Sequence, residues 1–490
     1  MTVLFQQAIT AHQTGNLVEA EALYLAVLGS EPDRADARYN LGMVYGQLQR
    51  PADAVREISL ALQTKPDFGQ GWFMLCEFAD AIDQQELNRF AGEQAVRLMP
   101  DNARAWFRYG LALSRLERNE EAIAACRRAV EIDPSLVKAW VNLCVAHKAL
   151  GQFAEAEAAI RKAIEAAGET IPDESMRAAD ENQYSYLHWH LALLELTTGR
   201  YREGFAHFRA RFCGGTNWHR FESPKPLWRG EDLRGKTLLV TVEQGFGDAL
   251  MLARYLPLLK NRGVRVLFQV HAPLAPLFKN WDGADEIIPY GVSIEGSYDY
   301  HIALFDLPHR FETTLETIPT RMPYLPASAP APDEERLLPK DGLKVGIVWA
   351  GQPDNIRGRN RSIPLDVFSQ IFKGAEVLFF SLTRDKRQGD AELLRQLPVT
   401  DFGPLLTDFA VTARLIKQLD LIITCDTSVA HLAGGMGKSV WTLLPFVADW
   451  RWGAEGEKSP WYPTMRLFRQ SQRDVWEDVV ERVRAELVKT

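Results

Sequence analysis

A chain of 490 residues is too long for one ordinary core and points to about three domains. Its 46% hydrophobic and 24% charged content is ordinary for a globular protein, and a net charge of −8 argues against a general nucleic-acid binder. Cys76, Cys126, Cys144, Cys213 and Cys425 are scattered, odd in number and free of CxxC or Cys/His ligand spacing. They predict reduced thiols in a cytoplasmic protein, with neither a disulfide framework nor a zinc site. Met1–Gln7 has no basic stretch ahead of an apolar core, and no segment reaches the ~18 apolar residues of a membrane span, so neither a signal peptide nor stable membrane insertion is expected.

Internal repetition dominates the first part. Pro32, Pro66, Pro100 and Pro134 are 34 residues apart, as are Trp72, Trp106 and Trp140. Ala20, Ala54, Ala122 and Ala156 hold one phase of this period, and Ala61, Ala95, Ala129 and Ala163 another. Small residues let two antiparallel helices approach, larger ones fill between them, and each Pro ends a pair. Asn88 marks the third copy as degenerate, and a partial sixth copy is placed at about 185–212, after an insert at about 168–183. The pattern resembles the tetratricopeptide repeat, assigned here to residues 1–212. A solenoid of this kind either supports the next domain or offers a concave groove to a peptide or protein partner.

Residues 213–235 read as a linker. The period then changes. Thr237–Val242, Val264–Val270 and Tyr298–Leu304 read as strands, with a helix over Ala249–Asn261. A Pro-rich linker, 327–342, precedes further strands at Val345–Ala350, Val377–Leu382, Leu421–Cys425 and Val440–Leu444, and a closing amphipathic helix at Val475–Leu487. Strands alternating with helices predict parallel sheets, here two Rossmann-like halves (236–326 and 343–490) facing one cleft.

Four stretches at predicted strand ends carry polar chemistry. The first is Glu243-Gln244-Gly245-Phe246-Gly247-Asp248, where the Gly turn allows close backbone approach and Asp248 reads either as a helix N-cap or as a cleft acid. The second places Arg357, Arg359 and Arg361 within five residues, either a solvated basic loop or a phosphate site. The third is Asp426-Thr427-Ser428-Val-Ala-His431-Leu-Ala-Gly434, which reads as a helix start. Its unpaired N–H groups suit a phosphate, and the plainer alternative is an Asp426 N-cap with a satisfied His431. The fourth is the Trp-rich loop Asp449-Trp450-Arg451-Trp452, either a stacking surface for a base or sugar or a packed seam. Gly435-Met-Gly437-Lys438-Ser439 imitates the end of a Walker A motif, but Leu432 stands where that motif needs Gly, so an ATPase reading is rejected.

Gly247-Asp248 with Leu256-Pro257, together with Asp426–Gly434, resembles the heptosyltransferase-type glycosyltransferases (family 9, fold GT-B) over roughly 236–488. Joined to the repeats, the chain is similar to bacterial proteins that include flagellin-modifying glycosyltransferases. The resemblance implies a tetratricopeptide α-solenoid followed by a GT-B fold, and an inverting, metal-independent transfer from a nucleotide-sugar without a cofactor. Asp248 would be the general base. Arg361, Arg359, Asp426, Thr427, Ser428, His431 and Gly434 would hold the donor, and Glu243, Gln244, Gly247 and Trp450 would line the acceptor side. Ser428 stands where the family has Gly, so the donor sugar is not carried over. The expected acceptor is a protein in the repeat groove, flagellin-like or otherwise. Two alternatives stay open: a repeat scaffold whose second part is inactive or senses a nucleotide-sugar, and an enzyme acting on lipid-linked or lipopolysaccharide sugars.

Overall fold

The computed structural model describes residues 2–169, 181–212, 221–292, 294, 298–352 and 360–489. It divides into two compact units, Met1–Ile171 and Pro172–Thr490, and each is taken by itself.

Among the described residues, the first unit consists of five helix pairs: Thr2–Gln13 with Leu17–Ser30, Ala35–Gln47 with Pro51–Thr64, Gly69–Ala81 with Gln85–Leu98, Ala103–Arg115 with Asn119–Ile132, and Val137–Ala149 with Phe153–Ala167. The 34-residue phase has a physical basis at three points. At the helix crossing, the periodic alanines are fully buried, and a Cβ on Gly42 would lie 2.5 Å from Ile58 Cγ1. In the turn inside each pair, Gly15, Gln49, Asp83, Glu117 and Gly151 all take positive φ, between 58° and 77°. Between pairs, the indole N–H of Trp72, Trp106 and Trp140 donates to the carbonyl of Pro66, Pro100 and Pro134 at 2.8, 2.8 and 2.9 Å. Arg38 holds the Trp phase in an earlier copy and makes the same bond, Nε to Pro32 O at 2.8 Å. In the degenerate copy, Asn88 is buried and accepts from the Cys76 thiol at 2.9 Å.

The second unit begins with the helix pair Glu181–Thr197 and Tyr201–Phe208. The sequence pattern groups this pair with the repeats, while compactness groups it with the α/β part. It is followed by a sheet of β1 (Thr237–Thr241), β2 (Arg265–Val270), β3 (Glu286–Pro289) and β4 (Tyr300–Ala303), all parallel in the order β3-β2-β1-β4. Part of the expected linker joins this sheet: Leu227 bridges His301 in parallel and Trp228 N donates to His301 O at 2.9 Å. A second parallel sheet holds β5 (Lys344–Val348), β6 (Leu378–Ser381), β7 (Val399–Asp401), β8 (Leu421–Cys425), β9 (Ser439–Leu444) and β10 (Met465–Arg469). Its order is β10-β9-β8-β5-β6-β7. The order reverses between β5 and β8, and the carboxyl ends of two such strands form the crevice where open α/β sheets bind ligands.

The two sheets are tied together by Arg254, which is buried and has no carboxylate partner among the described residues. Its guanidinium donates to the carbonyls of Met251, Pro319 and Trp461 and to Tyr324 Oη, at 2.8 to 3.2 Å. The rings of Tyr324, Trp461 and Tyr462 surround it. The charge is thus neutralised by carbonyl dipoles and ring faces rather than by an acid. The helix expected over Ala249–Asn261 is split into Phe246–Leu252, a 3₁₀ turn Ala253–Tyr255 and Leu256–Lys260. Pro257 sits in the first turn of the last segment, where a missing N–H costs nothing.

Candidate functional site

The chain leaves β1 into Glu243, whose carboxylate accepts from Arg211 Nη2 at 2.7 Å. Arg211, fully buried, also donates Nη1 to Asp306 Oδ1 at 2.7 Å. Burial pushes the Glu243 carboxyl up to about 7, against the pull of Arg211, and Asp306 adds to the rise. Gln244 contributes its carbonyl to the His271 ring at 2.5 Å. The Glu243 side chain is therefore enclosed by its pairing with Arg211, and the Gln244 carbonyl holds the turn against His271.

The turn delivers Asp248 to the first turn of helix Phe246–Leu252. Asp248 is not the N-cap. It stands at the third helical position and reaches back, accepting from Gly245 N at 3.0 Å as the acid of a capping box does. Its other oxygen pairs with Arg451 of the second half. Gly247 lies against His431: a Cβ there would be 2.7 Å from Cδ2 of the imidazole.

The second half supplies the remaining groups from the ends of β5, β8 and β9. Thr427, not Asp426, caps the helix Ser428–Gly435, and its hydroxyl meets Thr424 Oγ1 at 3.1 Å. Asp426 instead accepts from Arg361 Nη1 at 3.0 Å, with the carboxylate nearly enclosed and the guanidinium one-third exposed. Burial raises the Asp426 carboxyl, and Arg361 pulls against it. His431 is buried, hydrogen-bonded through Nδ1 to Tyr462 Oη at 2.9 Å, and stacked on Trp452 with ring centroids 5.0 Å apart. Burial and the nearby Arg451 lower its pKa to about 3, so the ring is neutral. Gly434 lies against the Tyr462 ring, where a Cβ would sit 2.7 Å away, so the helix packs closely there.

Arg451 joins the two halves. Besides Asp248 it holds Asp449 Oδ1 at 2.5 Å, and its side chain is 12% exposed. Burial raises the Asp248 carboxyl while Arg451 opposes the rise. Asp449 is also pushed up by burial, but Arg451 and Arg361 together bring it below the ordinary range. Trp450, expected at the cleft, is buried among Phe205, Phe208, Phe305, Tyr201 and Trp461, so this Trp is a packed seam. Arg359 lies outside the described residues.

Asp248, Arg361, Asp426 and His431 are thus brought together, with Thr427 and Ser428 at the adjoining helix start. Sequence reasoning missed Arg451 and Asp449 as members, although both sit in the Trp-rich stretch it singled out. Arg211 and Asp306 carried no local signal, because they pair across 95 residues.

The architecture of the first unit agrees with its sequence relatives. The tetratricopeptide repeat family matches residues 5–67 and 87–136, and again 115–173. The N-terminal region is a tetratricopeptide-repeat solenoid. A curated relative, protein FlbA of Caulobacter vibrioides, is 30% identical over 322 residues, which are 60% of this chain and 53% of FlbA. The chain therefore spans about half the length of that relative. Among solved structures, MamA of Desulfovibrio magneticus is 22% identical with a TM-score of 0.33, covering 34% of this chain and 94% of that one. YrrB, a TPR protein with an unusual peptide-binding site, is 23% identical with a TM-score of 0.33, covering 34% and 86%. Among the described residues, no helix is long and apolar enough to cross a membrane.

Proposed function

We propose that the second unit is a GT-B glycosyltransferase that moves a sugar from a nucleotide-sugar to an acceptor with inversion. The repeats, a protein-interaction scaffold, would recruit a protein acceptor such as a flagellin. One observation carries the reading: a carboxylate that follows the first sheet, Asp248, pairs with Arg451 of the second half, whose charge also acts on Arg361, Asp426 and His431 at the β5/β8 crevice. An inverting transfer needs a base to take the acceptor hydroxyl's proton and cations to stabilise the departing phosphate. Asp248 is suited to the first task. Arg361 and the N–H groups at the start of helix Ser428–Gly435 are suited to the second.

A second reading is favoured by the Asp248–Arg451 ion pair, which leaves the base engaged: a scaffold that senses a nucleotide-sugar without turning it over. A thermal-shift screen of UDP-, GDP-, ADP- and CMP-sugars against the full chain, followed by nucleotide release with bacterial flagellin present, separates the two. The transferase reading expects one donor to raise the melting temperature, nucleotide release from that donor, and loss of release with retained binding in Asp248→Asn. Binding without release supports the sensor. A screen in which no nucleotide-sugar binds overturns both.

A further inference from the structure

Arg451 has more hydrogen-bonding capacity than its neighbours use. Its Nη1 and Nη2 are taken by Asp449 and Asp248. Its Nε is buried with no hydrogen-bond partner among the described residues. A guanidinium presents its donors as a planar fork that fits a phosphate as well as a carboxylate. Arg361 repeats the arrangement beside it, with Asp426 on its Nη1. Three carboxylates therefore occupy two arginines at the end of the β5/β8 crevice. Among the described residues, these ion pairs set three acids (Asp248, Asp426 and Asp449) against two arginines, with His431 neutral. With both guanidiniums engaged by carboxylates, a further anion binds them only where one of those carboxylates withdraws.

We propose that Arg451 is a phosphate-binding residue kept occupied by Asp248 until a donor arrives, so that donor binding displaces the Asp248 carboxylate and frees it to act as base. This rests on the glycosyltransferase reading above. Asp449 is suited to keep the guanidinium in place during the exchange, because it holds Nη1 and also accepts from the backbone N–H of Arg451 at 3.2 Å. Asp248 has a second site to fall back on, the Gly245 N–H. No bond to carbon or phosphorus changes in this step; one salt bridge replaces another.

The test is calorimetric binding of inorganic pyrophosphate to the full chain. Asp248→Asn removes the competing carboxylate and is expected to tighten binding by about 10-fold, whereas Arg451→Gln is expected to weaken it by at least about 10-fold. Arg451→Lys keeps the charge without the fork and is expected to fall between the wild type and Arg451→Gln. Tightening in Asp248→Asn is the outcome that a purely structural salt bridge does not give. Wild-type binding with an unchanged or weaker Asp248→Asn overturns the exchange and leaves the transferase reading standing. Absence of pyrophosphate binding to the wild type overturns both. If Arg451→Gln fails to fold, the Asp248→Asn and Arg451→Lys arms decide alone.

Discussion

Replacing Gly247 by Ala isolates the contact between the two halves of the candidate site. The added Cβ would lie 2.7 Å from His431 Cδ2 and 3.3 Å from Nε2. Ordinary carbon contacts begin near ~3.5 Å, so the overlap is roughly 0.8 Å. The imidazole has nowhere to retreat: Trp452 stacks on one face at 5.0 Å, and Tyr462 Oη holds Nδ1 at 2.9 Å. Overpacking of this degree costs about 1–3 kcal/mol. Gly247 lies inside helix Phe246–Leu252 and its φ is not positive, so backbone strain contributes nothing. Without His431, the same change would gain up to ~1 kcal/mol from helix propensity. The sign therefore reverses with the background. Urea denaturation followed by tryptophan fluorescence should show Gly247→Ala destabilising the wild type, and neutral or stabilising in His431→Ala. Equal cost in both backgrounds would refute the contact, as would an unchanged midpoint for the single variant.

The repeat turns give a second test. Left-handed backbone costs an ordinary residue ~1–2 kcal/mol and glycine's unfolded-state entropy returns ~0.5–1 kcal/mol of that, so Gln49→Gly and Glu117→Gly should each stabilise the protein by about 0.5–1 kcal/mol. A loss of stability in either would count against that backbone. The third concerns pH. Glu243 is raised from 4.5 to about 7 in the fold, so its favourable share of stability is complete below 4.5 and is lost as pH rises through about 7. Glu243→Gln should therefore have a higher melting temperature than wild type at pH 8 and should match it near the acid end of that window. A constant difference at all pH values would show that Glu243 keeps its ordinary ionisation.

Much of the fold is legible because its signals are local. Leu421–Cys425 is a continuous buried run, and its bounds in the structure are those read from sequence. The strands Glu286–Pro289 and Val399–Asp401 escaped notice because they are short and partly exposed; Met465–Arg469 is interrupted by Arg466. Pro257 broke a helix that periodicity alone would continue. At the site, residue types at strand ends pointed to Asp248, Arg361, Asp426 and His431, but their partners did not follow. Whether Asp426 caps its helix or binds Arg361 is decided across 65 residues of sequence. Trp450 could not be told from a cleft residue until Phe205 and Phe208 were seen packed on it, and those come from a helix read as part of a repeat.

The bonds from Trp72, Trp106 and Trp140 to prolyl carbonyls six residues earlier, matched by Arg38 to Pro32, have a consequence for how the first unit can change in length. What recurs is the bond, since an arginine satisfies it as well as an indole does. Each such bond closes over six residues at the join of two successive pairs and needs nothing from a distant one. A duplication or deletion of 34 residues, cut anywhere within the period, therefore restores every bond of this kind on both sides of the join. A change of any other size placed outside the six-residue stretch spares these bonds but moves the buried alanines of the helix crossings out of phase. The solenoid is thus a ruler with fixed graduations, and the reach of the first unit keeps all its repeating contacts when it is lengthened or shortened in whole steps of 34 residues.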